Sequence, residues 1–264
     1  MKNILLTIAL AISIIGVNAQ EAVESENTLE QPNFVKLNLL PLLGGKISVE
    51  YERVLSKKFA VGVALNLRPE SELPFKSRIM DIVDDSEVNS LLDGMKSSST
   101  AIVPEFKYYL SKKGYGQGFY LAPYVKYAKF NYSAPYTYDV SIEYQGQMVY
   151  DREETISLKG DLTTVTAGIS AGINFRLKDN IFLDWRIIGP GYGMSKGNLA
   201  GKMALNADEQ AGLRDQLGDL KESLNDLPLK FKMDYNVHAN GADITLNKSP
   251  WGNIRSGLSI AYKF

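Results

Sequence analysis

The chain has 264 residues, and its 29 Lys and Arg against 30 Asp and Glu give a formal net charge of −1. Such a balance provides no broad basic surface, so we expect no nucleic-acid partner. The absence of cysteine excludes a disulfide framework and a lipid-modified cysteine. The mean hydropathy of −0.14 is not decisive, because a membrane barrel alternates polar and apolar residues and averages to a similar value.

The first residues have the pattern of an export signal. Lys2 precedes an apolar run from Ile4 to Val17, and small residues follow up to Ala19. We predict a signal peptide at residues 1–19 that is removed near Ala19. The apolar run is too short to span a bilayer as a helix, and no later segment offers the roughly 18 apolar residues required. Residues 20–32 are acidic and polar, and we predict a flexible periplasmic tail there.

The remaining residues, 33–264, contain eight segments in which apolar and polar side chains alternate. The clearest segment is Phe59 to Arg68, where large apolar residues alternate with small or polar ones. Side chains that alternate with period two are typical of a strand with two unlike faces. We therefore predict an all-β fold, an eight-stranded antiparallel up-and-down transmembrane β-barrel. The predicted strands are 33–43, 46–54, 59–68, 100–110, 119–130, 161–176, 181–189 and 255–264.

The connections between these strands alternate in length. Those after strands two, four and six are short, whereas long loops are predicted at 69–99, 131–160 and 190–252. Short periplasmic turns and long extracellular loops are typical of outer-membrane barrels, and we expect this location. Because alternation alone does not say which face meets water, a soluble lipocalin-like binding barrel is an alternative.

The long loops carry patterns of their own, which predict helical insertions. Residues 74–95 have apolar residues at helical spacing, and 138–158 resemble a hairpin that continues strands five and six. Asn206 with Glu209 forms a capping pattern before a leucine stripe, and a hairpin with an Asn240–Gly241 turn follows. We expect the stripe to pack within its own chain, around residues 82–92, rather than on a partner helix. The stripe comprises Leu213, Leu217, Leu220, Leu224 and Leu227.

Charged residues fall on the inward faces of the predicted strands. An eight-stranded barrel is only wide enough to be filled by side chains, so we expect these charges to pair with one another. A water-filled ion path between them is the alternative. The predicted interior network comprises Lys36, Lys46, Glu50, Glu52, Arg68, Glu105, Lys107, Lys126, Arg176, Asp184, Arg186 and Arg255.

No pattern of catalytic, cofactor-binding or metal-binding residues stands out. His238 is the only histidine, and it lies beside a predicted turn without a nucleophile or an orienting group nearby. Residues 189–193 (GPGYG) lack the helix of a phosphate-binding loop, so we predict a turn leaving strand seven. Residues 84–87 (DDSE) lack the ligand spacing of a calcium loop. We expect no enzyme activity, no cofactor and no metal.

The final segment resembles the carboxyl-terminal signal by which outer-membrane barrels are recognised for insertion. Its residues with this role are Gly257, Leu258, Ile260, Tyr262 and Phe264. Together with FVKLNLLPLLGGKISVEYERVLSKKFAVGVALNL and GFYLAPYVKY, the closing GLSIAYKF resembles a family of small outer-membrane β-barrel proteins abundant in Bacteroidota, which carry a domain of unknown function. The most specific stretches are Lys36 to Leu40 and Ser48 to Arg53. The resemblance implies a location and a fold, and it brings no catalytic residues.

From these observations we expect a non-enzymatic integral outer-membrane β-barrel that presents large extracellular loops for surface interaction or envelope structure. The expected partners are outer-membrane lipid, the barrel-assembly machinery and an extracellular ligand or protein of unknown identity. The alternatives are a small channel for small or hydrophobic solutes, an enzyme acting on outer-membrane lipid, and the soluble binding barrel.

Overall fold

Nine antiparallel strands form one sheet in the computed structural model. The structure describes residues 32–73, 76–82, 89, 92–112, 115–144, 147–226 and 232–264, with the side chains of 139–152 excepted. The predicted signal peptide and nearly all of the predicted tail lie outside these residues. The strands are β1 (Asn33–Asn38), β2 (Ile47–Val54), β3 (Phe59–Glu72), β4 (Lys96–Tyr109), β5 (Gly118–Tyr144), β6 (Gln147–Lys178), β7 (Ile181–Lys202), β8 (Met233–His238) and β9 (Gly241–Lys263).

Eight of these strands close into a ring, which confirms the predicted antiparallel barrel. Each strand from β1 to β6 pairs with the strand that follows it, β7 pairs with β9, and β9 pairs with β1. The closing register runs from Phe34 opposite Lys263 to Asn38 opposite Ser259. The ninth strand, β8, pairs with the beginning of β9 and lies outside the ring. It forms the predicted hairpin, but the two turn residues are Ala239 and Asn240 instead of Asn240 and Gly241.

The two ends of the ring differ in construction. The connections β2–β3, β4–β5 and β6–β7 lie at one end, which we call the turn end; the others lie at the opposite loop end. At the loop end β5, β6, β7 and β9 continue far beyond the predicted strands. The hairpin predicted in 138–158 is confirmed, because Tyr138 pairs with Glu154 in the continuous β5–β6 ladder. We call the protruding part, with the helix and hairpin described below, the loop-end extension.

The prediction of a loop at 190–252 is therefore wrong at both ends of this range, because β7 runs to Lys202 and β9 begins at Gly241. The GPGYG segment, 189–193, is not a turn but lies inside β7, after an irregularity between Arg186 and Gly189. Gly193 is required there, since a Cβ atom would lie 1.9 Å from the carbonyl oxygen of Val165. The first predicted strand is also too long: β1 ends at Asn38, and a 3₁₀ helix, Leu40–Gly44, precedes Gly45, whose φ is 68°.

The structure gives bounds for two α-helices in the described parts of the loops, α1 (Lys76–Ile82) and α2 (Ala207–Asp226). The predicted capping pattern is confirmed, since Asn206 and Glu209 each accept the other's backbone N–H at 2.9 Å. Neither of these described helices has the length and apolar character needed to cross a bilayer. Residues 83–88, which include the acidic DDSE segment, and Leu227 lie outside the described part of the chain.

The leucine stripe of α2 packs within its own chain, as predicted, but mainly against strands. Leu213, Leu217 and Leu220 are buried, and Leu224 packs beside them. Leu92 is the described member of the 82–92 segment that joins this cluster. The cluster thus attaches α2 to the loop-end extension, through Tyr136, Tyr138, Ile156, Leu158, Met233, Val237, Ala242 and Ile244.

Candidate functional site

The outer surface of the ring is apolar. On every barrel strand the predicted outward row faces away from the interior, and it includes large apolar side chains that are 39% to 59% exposed. An apolar surface this continuous is not left in water by an ordinary soluble monomer. We call it the outer apolar belt; one member from each strand is Leu37, Ile47, Leu65, Ile102, Val125, Ile169, Trp185 and Ile260.

The outer apolar belt stops before the strands do. On β5 the outward residues change from Val125 and Tyr127 to Lys129, and on β6 from Val165 to Asp161. Lys129 and Asp161 face solvent and lie 3.6 Å apart. The belt therefore has a polar boundary, and the loop-end extension begins beyond it.

The interior of the ring contains a compact layer of paired charges, which we call the ionic layer. Glu52 is fully buried, and it accepts hydrogen bonds from Lys36 at 2.6 Å and Lys107 at 2.7 Å. Four acids face four bases in this layer, so its formal charge is zero. Its members are Lys36, Glu50, Glu52, Glu105, Lys107, Asp184, Arg186 and Arg255.

The two arginines form the loop-side half of the ionic layer. Arg186 Nη2 donates to Glu50 at 2.9 Å and to Glu105 at 2.8 Å. Arg255 Nη1 lies 2.8 Å from the second oxygen of Glu105, and its guanidinium stacks on the ring of Tyr124 at 4.5 Å. Each buried carboxylate thus has a cationic partner, which is the condition for keeping such charges inside a protein.

Three of the carboxylates, Glu50, Glu52 and Asp184, have oxygens within 4.8 Å of one another. Such a group has the spacing to hold a cation. Two ammonium groups already lie between them: Lys107 contacts all three acids, and Lys36 lies 2.5 Å from Asp184. The donor set therefore fits the protein's own lysines better than a metal ion, because a metal ligated here would be repelled by both.

Aromatic side chains fill the interior at the turn end, below the ionic layer. Phe34 and Phe182 meet edge to face with ring centres 5.0 Å apart, and Tyr109 and Tyr120 do so at 5.6 Å. All four are buried, and we call them the aromatic plug. The two tyrosines bind it to the ionic layer, since Tyr109 donates to Glu52 at 2.6 Å and Tyr120 to Asp184 at 2.7 Å.

The β4–β5 turn crosses the interior beneath the aromatic plug. The backbone N–H of Tyr115 donates to Lys57 in the β2–β3 turn, and Asn174 on the inward face of β6 donates to the carbonyl of Gly116 at 2.6 Å. Gly116 contacts the plug closely, since a Cβ atom there would lie 2.7 Å from Phe34. This turn and the plug together obstruct the turn end.

Above the ionic layer, toward the loop end, lies a cavity of about 250 Å³. It lies behind the short β1–β2 hairpin, which supplies Asn38, Lys46 and Ser48 to its lining. The barrel wall is low at this point, because β1 ends at Asn38 while its neighbour β9 continues. We call this space the loop-end cavity; four cations line it, namely Lys46, Lys126, Arg186 and Arg255.

Not every predicted interior charge joins the ionic layer. Arg68 is buried nearer the loop end, where it donates to Ser97 at 2.7 Å and to the carbonyl of Glu72. Lys126 and Lys46 point to the loop-end cavity and form no ion pair within the described part of the chain. The prediction for Arg176 is wrong: it is exposed at the turn end, 3.9 Å from Asp179.

The remaining predicted sites are placed as follows. His238 is partly exposed, with Nε2 3.3 Å from Asp243. Ile260, Tyr262 and Phe264 of the predicted assembly signal belong to the exposed outer row, whereas Gly257 is covered by Asn38. The aromatic plug was not predicted as a unit, although Phe34 lies two residues before Lys36, and Phe182 two before Asp184. Strand periodicity alone therefore places both rings on the inward face.

No protein-family model matches this chain, and no curated protein and no solved structure is significantly similar to it.

Proposed function

We propose that this chain is a non-enzymatic integral outer-membrane β-barrel that presents its loop-end extension for interaction at the cell surface or for envelope structure. The observation that carries the proposal is the outer apolar belt, which surrounds a ring whose charged residues point inward. A closed barrel satisfies every backbone hydrogen bond within the sheet, so hydrocarbon is a suitable environment for that belt.

The distribution of charge supports the proposal that the ring is surrounded by lipid and not by water. A soluble barrel would keep its charged rows outside and its apolar rows inside. In this ring Glu52 and Lys107 are fully buried, whereas Ile169 and Leu65 are each 59% exposed. The order is the reverse of that of a soluble barrel, which argues against the lipocalin-like alternative.

The interior argues against the channel alternative. A solute entering at the loop end would meet the ionic layer, where Lys107 binds Glu50 and Glu52 at 2.7 Å each. It would then meet the aromatic plug and the β4–β5 turn beneath it. Opening this route requires separating buried charge pairs, which costs several kcal/mol for each ion left unpaired.

The loop-end extension supports a role in surface interaction. It carries its own apolar cluster around α2, so it is a folded structure and not a set of short connections. Its strands continue the ladders of β5, β6, β7 and β9 beyond the outer apolar belt. Under the proposal these strands hold α2 and the β8–β9 hairpin outside the membrane.

Cell fractionation tests the proposal. The full chain is expressed in a Gram-negative host, and its inner and outer membranes are separated from the periplasm. We expect the protein in the outer membrane, resistant to extraction with alkaline carbonate. Because the chain has no cysteine, an Arg214→Cys variant on the exposed face of α2 allows labelling of intact cells with a membrane-impermeant maleimide. Recovery in the soluble periplasm contradicts the proposal.

A matched pair of variants tests the outer apolar belt itself. Ile169→Lys places a charge within the belt, and Asn198→Lys places one on the outward face of β7 at the polar boundary, opposite Asp161. A lysine at the bilayer midplane costs about 2–4 kcal/mol, and a lysine near the interface costs much less. We expect the first variant to lose membrane insertion and the second to keep it. Equal insertion of both variants would show that the belt does not contact lipid.

A further inference from the structure

We propose that the loop-end cavity is a binding site for a phosphate monoester. This inference goes beyond the surface role proposed above, because it concerns the interior of the ring. The cavity has a volume of about 250 Å³ and is lined by Lys46, Lys126, Arg186 and Arg255. None of the described residues that line it is acidic.

The charges around the loop-end cavity do not balance. Arg186 and Arg255 are neutralised from below, by Glu50 and Glu105. Lys46 and Lys126 have no carboxylate within ion-pair distance among the described residues, and both are partly buried. Within the part of the chain that the structure describes, these two positive charges thus have no carboxylate partner. A bound anion would supply the partner that the described residues do not give these two lysines.

The size of the imbalance indicates the class of anion. A phosphate monoester carries a charge of about −1.5 to −2 near neutral pH and presents three strong acceptor oxygens. It therefore matches the two unpaired lysines, whereas a carboxylate neutralises only one. The neutral side chains Asn38, Ser48 and Asn66 line the same space, and they offer donors for the remaining oxygens.

The guanidinium of Arg255 is fixed in a position that favours this role. It is held between Glu105, at 2.8 Å, and the ring of Tyr124, at 4.5 Å. The hydroxyl of Tyr124 is fixed in turn, because it donates to the carbonyl of Gly189 at 2.9 Å. A rigid cation at the base of a cavity binds an anion without first losing side-chain freedom.

The phosphate has two possible sources, which share the same chemistry. One is a soluble monoester that enters from the loop end. The other is a lipid headgroup, because Leu42 and Leu43 on the β1–β2 hairpin beside the cavity are exposed. Both sources place the phosphate against Lys46 and Lys126.

Calorimetry on the full mature chain, folded in a maltoside detergent, tests the site. The probe is glycerol phosphate. Glycerol, which lacks the phosphate, and lactate, which carries a carboxylate, are the comparison ligands. We expect glycerol phosphate to bind, lactate to bind more weakly and glycerol not to bind. Lys126→Gln and Lys46→Gln should each weaken binding by at least about tenfold, as expected for the loss of one charged hydrogen-bond partner. Lys129→Gln, on the outward face of the same strand β5, should leave binding unchanged.

A second arm identifies the lipid source. The same variants are placed in phosphatidylcholine nanodiscs with and without phosphatidic acid, and the unfolding midpoint in urea is measured. Stabilisation by phosphatidic acid that is lost in Lys126→Gln, without binding of glycerol phosphate, assigns the site to a lipid headgroup. The proposal is overturned if neither probe acts, or if Lys126→Gln responds like Lys129→Gln. Circular dichroism of each variant confirms folding, and the detergent assay does not depend on cell location.

Discussion

At the scale of single residues, Glu52 is the centre of the ionic layer. It is fully buried and accepts hydrogen bonds from Lys36, Lys107 and Tyr109, at distances of 2.6 to 2.7 Å. These donors come from strands β1 and β4, whereas Glu52 lies on β2. A single carboxylate thus connects three strands and joins the ionic layer to the aromatic plug.

We expect Glu52→Gln to lower the free energy of unfolding by about 3 kcal/mol, because it leaves two buried ammonium groups with one negative charge fewer. Urea unfolding of the protein folded into lipid vesicles measures this change. The matched control is Glu72→Gln, since Glu72 has an exposed side chain 3.8 Å from Lys76. Equal stability of the two variants would show that the charge of Glu52 contributes nothing to stability.

A second residue-scale feature is the close contact between β6 and β7 at the GPGYG segment. The Cβ of any residue at position 193 would lie 1.9 Å from the carbonyl oxygen of Val165, whereas Gly252 has nothing within 4 Å. We expect Gly193→Ala to destabilise the barrel by about 1–3 kcal/mol, because the ladder must shift to make room. Gly252→Ala should be nearly neutral. Urea midpoints of the two variants provide the comparison, and identical values contradict the steric explanation.

At the scale of elements, the strands were predicted best where large apolar side chains alternate with polar ones and the apolar row faces outward. The segment from Phe59 to Arg68 shows this pattern, and β3 begins at Phe59 as predicted. Beyond the polar boundary the outward faces of β5 and β6 carry polar residues, such as Asn131 and Thr155, while their inward faces keep buried apolar residues such as Ile156, and the ladder continues. The hairpin in 138–158 was predicted as a continuation of strands five and six, but the extensions of β7 to Lys202 and of β9 back to Gly241 were predicted as part of a loop.

The ionic layer was partly predictable, because alternation shows which side chains face the interior. The alternation of side chains placed Lys36, Glu50 and Asp184 on inward faces. It did not determine which charges meet, because partners such as Lys36 and Asp184 are 148 residues apart in the sequence. Arg176 shares the parity of interior residues, but it lies near the turn end, where its long side chain reaches solvent. The loop-end cavity depends on the early end of β1, which alternation in 33–43 did not reveal.

The helix α2 provides an element-scale test. Leu217 is fully buried against the loop-end extension. We expect Leu217→Ala to destabilise the extension by about 3 kcal/mol through the cavity it leaves. The ring should stay folded, because its strands pair independently of α2. Limited proteolysis should then cut α2 while the barrel remains protected. Arg214→Ala, on the exposed face, is the control; matching proteolysis of both variants contradicts the packing role of the stripe.

At the scale of the whole molecule, the interior is built in successive levels along the ring. The β4–β5 turn and the aromatic plug lie at the turn end, the ionic layer lies above them, and the loop-end cavity follows. We therefore expect no stepwise conductance when the purified protein is incorporated in a planar bilayer, with a known porin as the positive control. Reproducible current steps that depend on this protein would restore the channel hypothesis.

The ionic layer also constrains the order of folding. Its members come from β1, β2, β4, β7 and β9, so neighbouring hairpins alone cannot neutralise them. Lys36 meets Asp184 only when the first strand reaches its place between β2 and β9. Until that moment, Asp184 lacks one of its two lysines. We therefore expect closure of the sheet and pairing of its interior charges to occur together in one cooperative step, because the full set of ion pairs exists only in the closed ring.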